Sequence, residues 1–531
     1  MNQAYTGGNM STIIFQDVSF HYAQPYCEVF EHLSLYIDTH WRCAIIGRNG
    51  RGKSTLLQLI TGQLEPTAGS MHVPLKTAYF PYTIATNAKT TLDYIKDSLA
   101  PYRHYEKIMA ETLAKADEAS LQRYGTILEH YQALGGYEIS AKILQECHFL
   151  GLDEHKLQRP FDALSGGEQT RVMIATLFLK PHTYALIDEP TNHLDQQGCE
   201  LLGEYLARKE SFMLVSHDRT LIDRCANHIV SINKVDVTVT QGNYSSWSQN
   251  FQDQLALEQA QNEQLKKEIN FCKQSAQEKR AWSDRVEASK KGAYDKGYVG
   301  HKAAKMMKRA LNVERALHKK ISAKEQLLKN QEKQRGLLIP SEQAASGILL
   351  QVSRMGVELN GQTILQDINF VLRHGDRLGI CGPNGSGKTT LLNAICKEIA
   401  YRGDIFIPGY IKIARAYQQP IWNSGLLRDH LAATQMEETK FRQIMGELSV
   451  EKEIFERPLE TFSQGELKKV DLCRTLYEPT DILIWDEPLN YLDIPSREQI
   501  ESAILKYQPT LVFVEHDRHF FGKIATEELI L

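Results

Sequence analysis

The chain repeats itself, and the repeated element is a glycine-rich loop ending in Lys-Ser or Lys-Thr. Residues 45–54 read IIGRNGRGKS and residues 380–389 read ICGPNGSGKT. Three further pairs follow in the same order. LSGGE at 164–168 answers FSQGE at 462–466, ALIDEP at 185–190 answers LIWDEP at 483–488, and VSHD at 215–218 answers VEHD at 514–517. A duplicated, collinear set of motifs means two copies of one folding unit. A chain of 531 residues is also too long for one compact core.

The spacing is unequal. Lys53 to Lys388 is 335 residues, whereas Ser165 to Ser463 and Glu189 to Glu487 are both 298, so the first copy holds 37 extra residues between its loop and its LSGGE. The insertion is expected near 90–150, where the composition is helical and turn signals are few. The expected domains are 1–248, then a segment 249–346 that belongs to neither repeat, then 347–531. Residues 249–335 hold no proline and read helical on both sides of the break Lys291–Gly300. Helices over about 249–289 and 301–335 would each span roughly 50–60 Å at 1.5 Å per residue. Two such helices, antiparallel, would carry a tip loop at about 290–300.

Charge is concentrated in that segment. Residues 251–335 hold 20 Lys and Arg against 11 Asp and Glu, a balance of +9 in a chain of net −4, which leaves −13 elsewhere. A basic segment between acidic halves points to a polyanionic partner; a solvated helical spacer with an incidental lysine excess is the alternative. No run of 18 apolar residues is present, so no membrane span is expected. Residues Met1–Ser11 lack the layout of a signal peptide, and Met10 offers a second start. Nine cysteines lie singly without a CxxC pair, which argues against a disulfide framework or a zinc site and fits a cytoplasmic setting.

Each loop follows an apolar strand-like run and precedes a helical one, the context that makes the GxxGxGK[ST] pattern specific. Gly47, Asn49, Gly50 and Gly52, and likewise Gly382, Asn384, Gly385 and Gly387, let backbone N–H groups close around phosphates at a helix N-terminus. Lys53 and Lys388 should reach the β- and γ-phosphates of ATP. Ser54 and Thr389 should ligate Mg²⁺, with Thr55 and Thr390 next on the helix. The runs YALIDE and ILIWDE are apolar strands ending in two carboxylates. Asp188 and Asp486 suit the magnesium shell, and Glu189 and Glu487 are placed as general bases for the attacking water. His217 and His516 close apolar strands and should sense the γ-phosphate.

LSGGEQTRV and FSQGELKKV resemble the signature of ABC (ATP-binding cassette) ATPases, and the resemblance covers roughly 12–247 and 347–531. It implies an α/β fold: two P-loop ABC nucleotide-binding domains with helical subdomains, joined by a long antiparallel helical-hairpin linker. It also implies intramolecular head-to-tail pairing within a monomer, each ATP lying between one domain's phosphate loop and the other's signature. Ser463, Gln464, Gly465 and Glu466 would then cap the Lys53 site, and Ser165, Gly166, Gly167 and Glu168 the Lys388 site. The sites are expected to differ. Gln464 replaces a glycine, and Tyr22 stands where the family stacks adenine while its collinear partner is Gly356. Gln419 takes the Q-loop place, as a magnesium ligand, where the first domain has Tyr82, and Glu515 stands for Ser216.

Two cassettes, an arm in the first and a basic hairpin linker are similar to the ABC-F family, whose linker enters the tRNA exit site. That resemblance implies partners in the ribosome, namely 23S rRNA and peptidyl-tRNA, and no membrane subunit. The linker residues implied in RNA contact are Lys290, Lys291, Tyr294, Lys296, Tyr298, His301, Lys302, Lys305, Lys308 and Arg309, the lysines for phosphates and the aromatics for unpaired bases. FSQGELKKVDLCRTL, DEPLNYLD, VEHDRHFF and the linker run GYVGHKAAKMMKRA resemble the antibiotic-resistance branch of Vga/Lsa/Sal type. In that branch the tip loop dislodges lincosamides, pleuromutilins or streptogramin A from the peptidyl-transferase centre. A housekeeping translation factor of the same family and the ATPase subunit of a transporter remain as alternatives.

Overall fold

The computed structural model describes residues 12–23, 26–83, 88–115, 117–233, 236–254, 336–340, 347–359, 361–450 and 452–531, with a few positions between 256 and 260. The chain divides into two units, one formed by Met1–Tyr244 with Gln334–Leu531 and one by Ser245–Lys333. The first unit contains both repeats. Most of the second lies outside the described residues, including every linker residue named above and the tip loop.

Each repeat builds two sheets. In the first, the antiparallel sheet runs Tyr26–Asp38, Thr12–Ala23, Ala68–His72, and the central sheet runs Lys76–Phe80, Thr183–Asp188, Phe212–Val215, Arg42–Gly47, His228–Ile232, Val237–Gln241. In the second, the orders are Gln362–Arg373, Ile348–Leu359, Arg402–Phe406 and Ile413–Ala416, Ile482–Asp486, Leu511–Val514, Arg377–Cys381, Glu527–Ile530. The central strands pair in parallel except for Val237–Gln241, which closes the first sheet's edge antiparallel to His228–Ile232. Their continuous apolar runs, such as FMLV at Phe212–Val215 and LVFV at Leu511–Val514, are buried on both faces, as parallel strands require.

Between the antiparallel and central sheets of the first repeat, Phe15, Val18, Ile45, Leu56, Leu186 and Met213 form one core; Leu350, Val352, Ile380, Leu391, Ile484 and Val512 do so in the second. Helices pack beneath the other face. The second repeat places Leu427–Ala433 and Glu438–Glu447 there. The first has Thr91–Leu99 and Ile139–Phe149 in the corresponding places and adds Tyr102–Lys115 and Glu118–Ala133 between them, within the span expected for the insertion. These two added helices pack against each other, and the ring of Tyr102 meets that of Tyr131 edge-on.

The signature helices begin for a local reason. Ser165 and Ser463 each cap a helix, Gly166–Leu179 and Gln464–Thr475, and each forms a reciprocal capping box with the glutamate three residues on. Glu168 Oε2 accepts the Ser165 N–H at 2.9 Å, and Glu466 Oε2 accepts that of Ser463 at 2.7 Å. The motif thus starts a helix before it does anything else.

Candidate active site

Both phosphate loops end in glycines of positive φ, Gly52 at 87° and Gly387 at 98°, where helices Lys53–Thr61 and Lys388–Ile395 begin. A Cβ on Gly52 would lie 2.4 Å from Val29 Cγ1, and one on Gly387 2.8 Å from Ile364 Cγ2, so each loop rests directly on a strand of the antiparallel sheet. The buried amines fold back onto their own loops. Lys53 Nζ donates to Gly47 O at 2.9 Å and Arg48 O at 3.2 Å, and Lys388 Nζ to Gly382 O and Pro383 O, both at 2.9 Å.

The loops and signatures meet across the repeats. One cavity of about 560 Å³ is lined by Asn384, Gly385, Gly387, Lys388, Thr389 and Thr390 of the second repeat and by Ser165, Gly166 and Gly167 of the first. Glu487 and His516 also face it. At the other site, a Cβ on Gly465 would lie 2.6 Å from Asn49 Nδ2, which places the second signature against the first phosphate loop. Each site is therefore completed by the opposite repeat. Glu168 is absent from the cavity lining, and its carboxylate is held by the helix start and by Lys156 Nζ at 2.9 Å. Glu168, expected at the nucleotide, instead caps the helix that presents Ser165, Gly166 and Gly167, and Glu466 makes the same capping box with Ser463.

The two glutamates expected as general bases follow the central strands in a strained backbone: Glu189 and Glu487 both have φ of 48°. Their surroundings differ. Glu487 Oε2 accepts from Gln418 Nε2 at 3.0 Å and Asn490 Nδ2 at 2.6 Å, while His516 Nε2 lies 3.4 Å from Oε1. Burial pushes its pKa up, but the His516 and Gln418 contacts outweigh that and hold it below the usual carboxylate range. Glu189 has no such grip. Its Oε1 makes no hydrogen bond and lies 3.2 Å from His217 Nε2. Burial raises its pKa to about 7 despite Lys53, and burial with Lys53 and Arg497 pushes the His217 imidazole well below its usual value. Burial thus weakens the charged forms of the first dyad, while the contacts of Glu487 favour the ionised carboxylate in the second.

The aspartates differ too. Asp188 Oδ2 accepts from Tyr79 O–H at 2.8 Å, leaving Oδ1 buried without a partner, while both oxygens of Asp486 are buried and without a hydrogen bond. Ser54 and Thr389 stand at the first helical turn as the sequence placed them.

Two sequence alignments need correction. Phe80 pairs with Ile187 and Ala416 with Trp485, the residues just before Asp188 and Asp486. That register matches Tyr82 to Gln418, not Gln419, and it is Gln418 that reaches Glu487; Gln419 is exposed and absent from the cavity lining. Likewise, Tyr22 pairs with Cys27 and Leu359 with Gln362, while Ser19 and Gly356 occupy matching places opposite Ala68 and Arg402. The second hairpin turn is two residues shorter, so the counterpart of Tyr22 is Leu359 rather than Gly356. Tyr22 itself sits over its loop, its O–H 3.0 Å from Thr55 Oγ1. Gln464 is exposed at the first turn of its helix, and Glu515, buried, accepts the Leu489 and His516 N–H groups at 2.8 Å each.

Several site residues escaped the motif reading. Asp493 Oδ2 accepts the Asn49 N–H at 2.9 Å, and Asn49 Nδ2 donates to Tyr491 O at 2.7 Å, latching the first phosphate loop to the segment after Glu487 of the second repeat. Their signal was available in the run DEPLNYLD. Lys468 was not legible: its buried amine donates to Tyr417 O at 2.7 Å and Asp486 O at 2.9 Å, tying the segment that leads to Gln418 to the strand Ile482–Asp486.

This arrangement defines a tandem P-loop ATPase whose two nucleotide sites are each shared between the repeats. The family model described as ABC transporter matches residues 30–192 and 365–490. The chain belongs to the ABC family of ATPases, as a tandem-cassette member of its ABC-F group. It is 27% identical to "Ribosome protection protein VmlR" of Bacillus subtilis over 95% of this chain and 84% of that one. It is 26% identical to "ABC transporter F family member 5" of Arabidopsis thaliana, over 91% and 70%. The solved structure "RNase-L Inhibitor" superposes with a TM-score of 0.58 at 17% identity, over 97% of this chain and 87% of that one, a likeness of fold.

Proposed function

We propose that this ATPase works on the ribosome and protects it from antibiotics bound at the peptidyl-transferase centre, the lincosamides, pleuromutilins and streptogramin A. The observation that carries the reading is the pair of composite sites. ATP between the Lys388 loop and the Ser165–Gly167 turn draws the cassettes together, and hydrolysis releases them, so the chain is a two-state clamp. The name of the relative VmlR supports what the clamp drives. Magnesium fits the donors present. Buried oxygens of Asp486 and Asp188 lack a hydrogen-bond partner, and with Thr389 and Ser54 they would hold a cation that would neutralise charge on the β- and γ-phosphates. Glu487, with its carboxylate held ionised by Gln418, Asn490 and His516, then accepts a proton from the attacking water.

In this reading the +9 segment enters the tRNA exit site and lays Lys290, Lys291, Lys296, Lys302, Lys305, Lys308 and Arg309 along RNA phosphates, with Tyr294, Tyr298 and His301 at unpaired bases of 23S rRNA or peptidyl-tRNA. The place of action is the cytoplasm, as a monomer. Among the described residues no helix is long and apolar enough to cross a membrane. Translation in purified components, stalled by one drug of each class, tests the proposal. ATP-dependent rescue by the chain is the expected result. Ribosome binding without rescue from any of the three drugs would leave the housekeeping factor standing, and absence of ribosome binding would leave the transporter subunit.

A further inference from the structure

The two nucleotide sites offer different surfaces to a base. In each cassette the hairpin Thr12–Asp38 or Ile348–Arg373 runs under the phosphate loop, with Val29 or Ile364 against the loop glycine. The hairpin's end then rises beside the loop. In the first cassette this end presents Tyr22, 38% exposed, its ring edge-on to Phe20 at 5.1 Å and its O–H fixed 3.0 Å from Thr55 Oγ1. A ring so anchored offers a preorganised face for stacking. In the second cassette the same register position is Leu359, 42% exposed, and it lines the cavity together with Ile364, Lys388, Thr389 and Thr390. Leu359 and Ile364 are thus the side chains that this hairpin gives to the cavity, and both are aliphatic.

We infer that Leu359 makes the Lys388 site tolerant of the base, holding nucleoside triphosphates by the phosphates, whereas Tyr22 makes the Lys53 site favour purine over pyrimidine nucleotides. Stacking on an aromatic face strengthens with the size of the base, so a purine gains more than a pyrimidine. An aliphatic contact gains only apolar burial, which a leucine supplies almost equally to either. The triphosphate grip is the same at both sites: glycine N–H groups, a buried lysine and a helix N-terminus. The first site thus discriminates against pyrimidine nucleotides, while the second fills with CTP as readily as with ATP. This inference rests on the ATPase architecture and stands apart from the ribosomal reading.

The test uses the full chain carrying Glu189→Gln and Glu487→Gln, so that bound nucleotide is not turned over. Lys53→Ala or Lys388→Ala is added to leave a single site, and magnesium-dependent binding of labelled ATP and CTP is measured by equilibrium dialysis. At the Lys388 site the two affinities are expected within about threefold, and at the Lys53 site ATP is favoured by about tenfold or more, the range a stacked base supplies. Leu359→Tyr should raise the ATP preference of the Lys388 site by about tenfold, and Leu359→Trp, with a larger ring, by at least as much. Tyr22→Leu should erase the preference at the Lys53 site. A Lys388 site that already favours ATP tenfold, or that is indifferent to both ring substitutions at Leu359, overturns the inference. The folding of each variant is checked by its thermal transition, and the two ring variants at an exposed position give independent readings.

Discussion

Arg219 of the first cassette ends on Glu501 of the second, and both side chains are buried. Around them stand Glu498 at 3.9 Å and Asp517 at 3.8 Å from Arg219, and Lys523 Nζ at 3.0 Å from Glu501. Arg518, the counterpart of Arg219, instead meets Glu200 of the first cassette with its side chain 60% exposed. The two halves of the clamp are thus pinned unequally, one pin desolvated and one wet.

That inequality has a measurable consequence. Removing Arg219 leaves the buried Glu501 with Lys523 as its remaining cation, so Arg219→Ala should destabilise the chain by about 2–3 kcal/mol, below the cost of a fully stranded charge. Arg518→Ala, at a solvated pair, should cost under about 1 kcal/mol. Denaturant unfolding of the two variants side by side checks the contrast, and equal losses would contradict the assignment.

The register of Ile413–Ala416 separates two adjacent glutamines. Gln418→Ala removes a hydrogen bond to the Glu487 carboxylate worth about 1.5–3 kcal/mol, so turnover at the Lys388 site should fall roughly ten- to hundred-fold. Gln419→Ala should leave it near the parent value. Steady-state ATPase in a Glu189→Gln background, where only Glu487 acts, is the measurement.

Glu189 carries a pKa raised to about 7 by burial, from 4.5. Between those values the folded chain binds a proton that the unfolded chain releases, so this group's stabilisation is full below about pH 4.5 and is lost as pH rises through 7. The loss is about 3 kcal/mol at one unit per 1.36 kcal/mol. Glu189→Gln, which cannot ionise, should lack that decline. Melting curves of both nucleotide-free proteins from pH 5 to 8 should therefore diverge, and parallel curves would refute the shift.

Replacing both bases tests the catalytic assignment itself. Glu189→Gln with Glu487→Gln should bind ATP and retain it in unhydrolysed form, with turnover reduced at least a hundred-fold, about 2.7 kcal/mol in barrier. Chromatography of the bound nucleotide after isolation of the protein reads the outcome directly, and recovery of ADP at the parent rate would remove both glutamates from the base role.

Much of this molecule was legible as sequence because its motifs are local. A glycine loop needs positive φ at Gly52 and Gly387, a capping box needs Ser165 with Glu168 and Ser463 with Glu466, and an apolar strand ending in Asp-Glu needs only its own residues. Such requirements act over a few positions, so the repeat, the two phosphate loops and the two dyads follow from the sequence by itself. Tertiary structure decided the rest. Strand register gave Gly356 the place of Ser19 and Leu359 that of Tyr22, across a hairpin turn two residues shorter, and strand pairing exchanged Gln419 for Gln418. The unlike states of Glu189 and Glu487 depend on what Gln418, Asn490 and His516 bring from other strands and turns. The latch of Asp493 on Asn49 and the buried pair of Arg219 with Glu501 join positions hundreds of residues apart. Register, burial and long-range charge are properties of packed chains, and no spacing within one chain encodes them on its own.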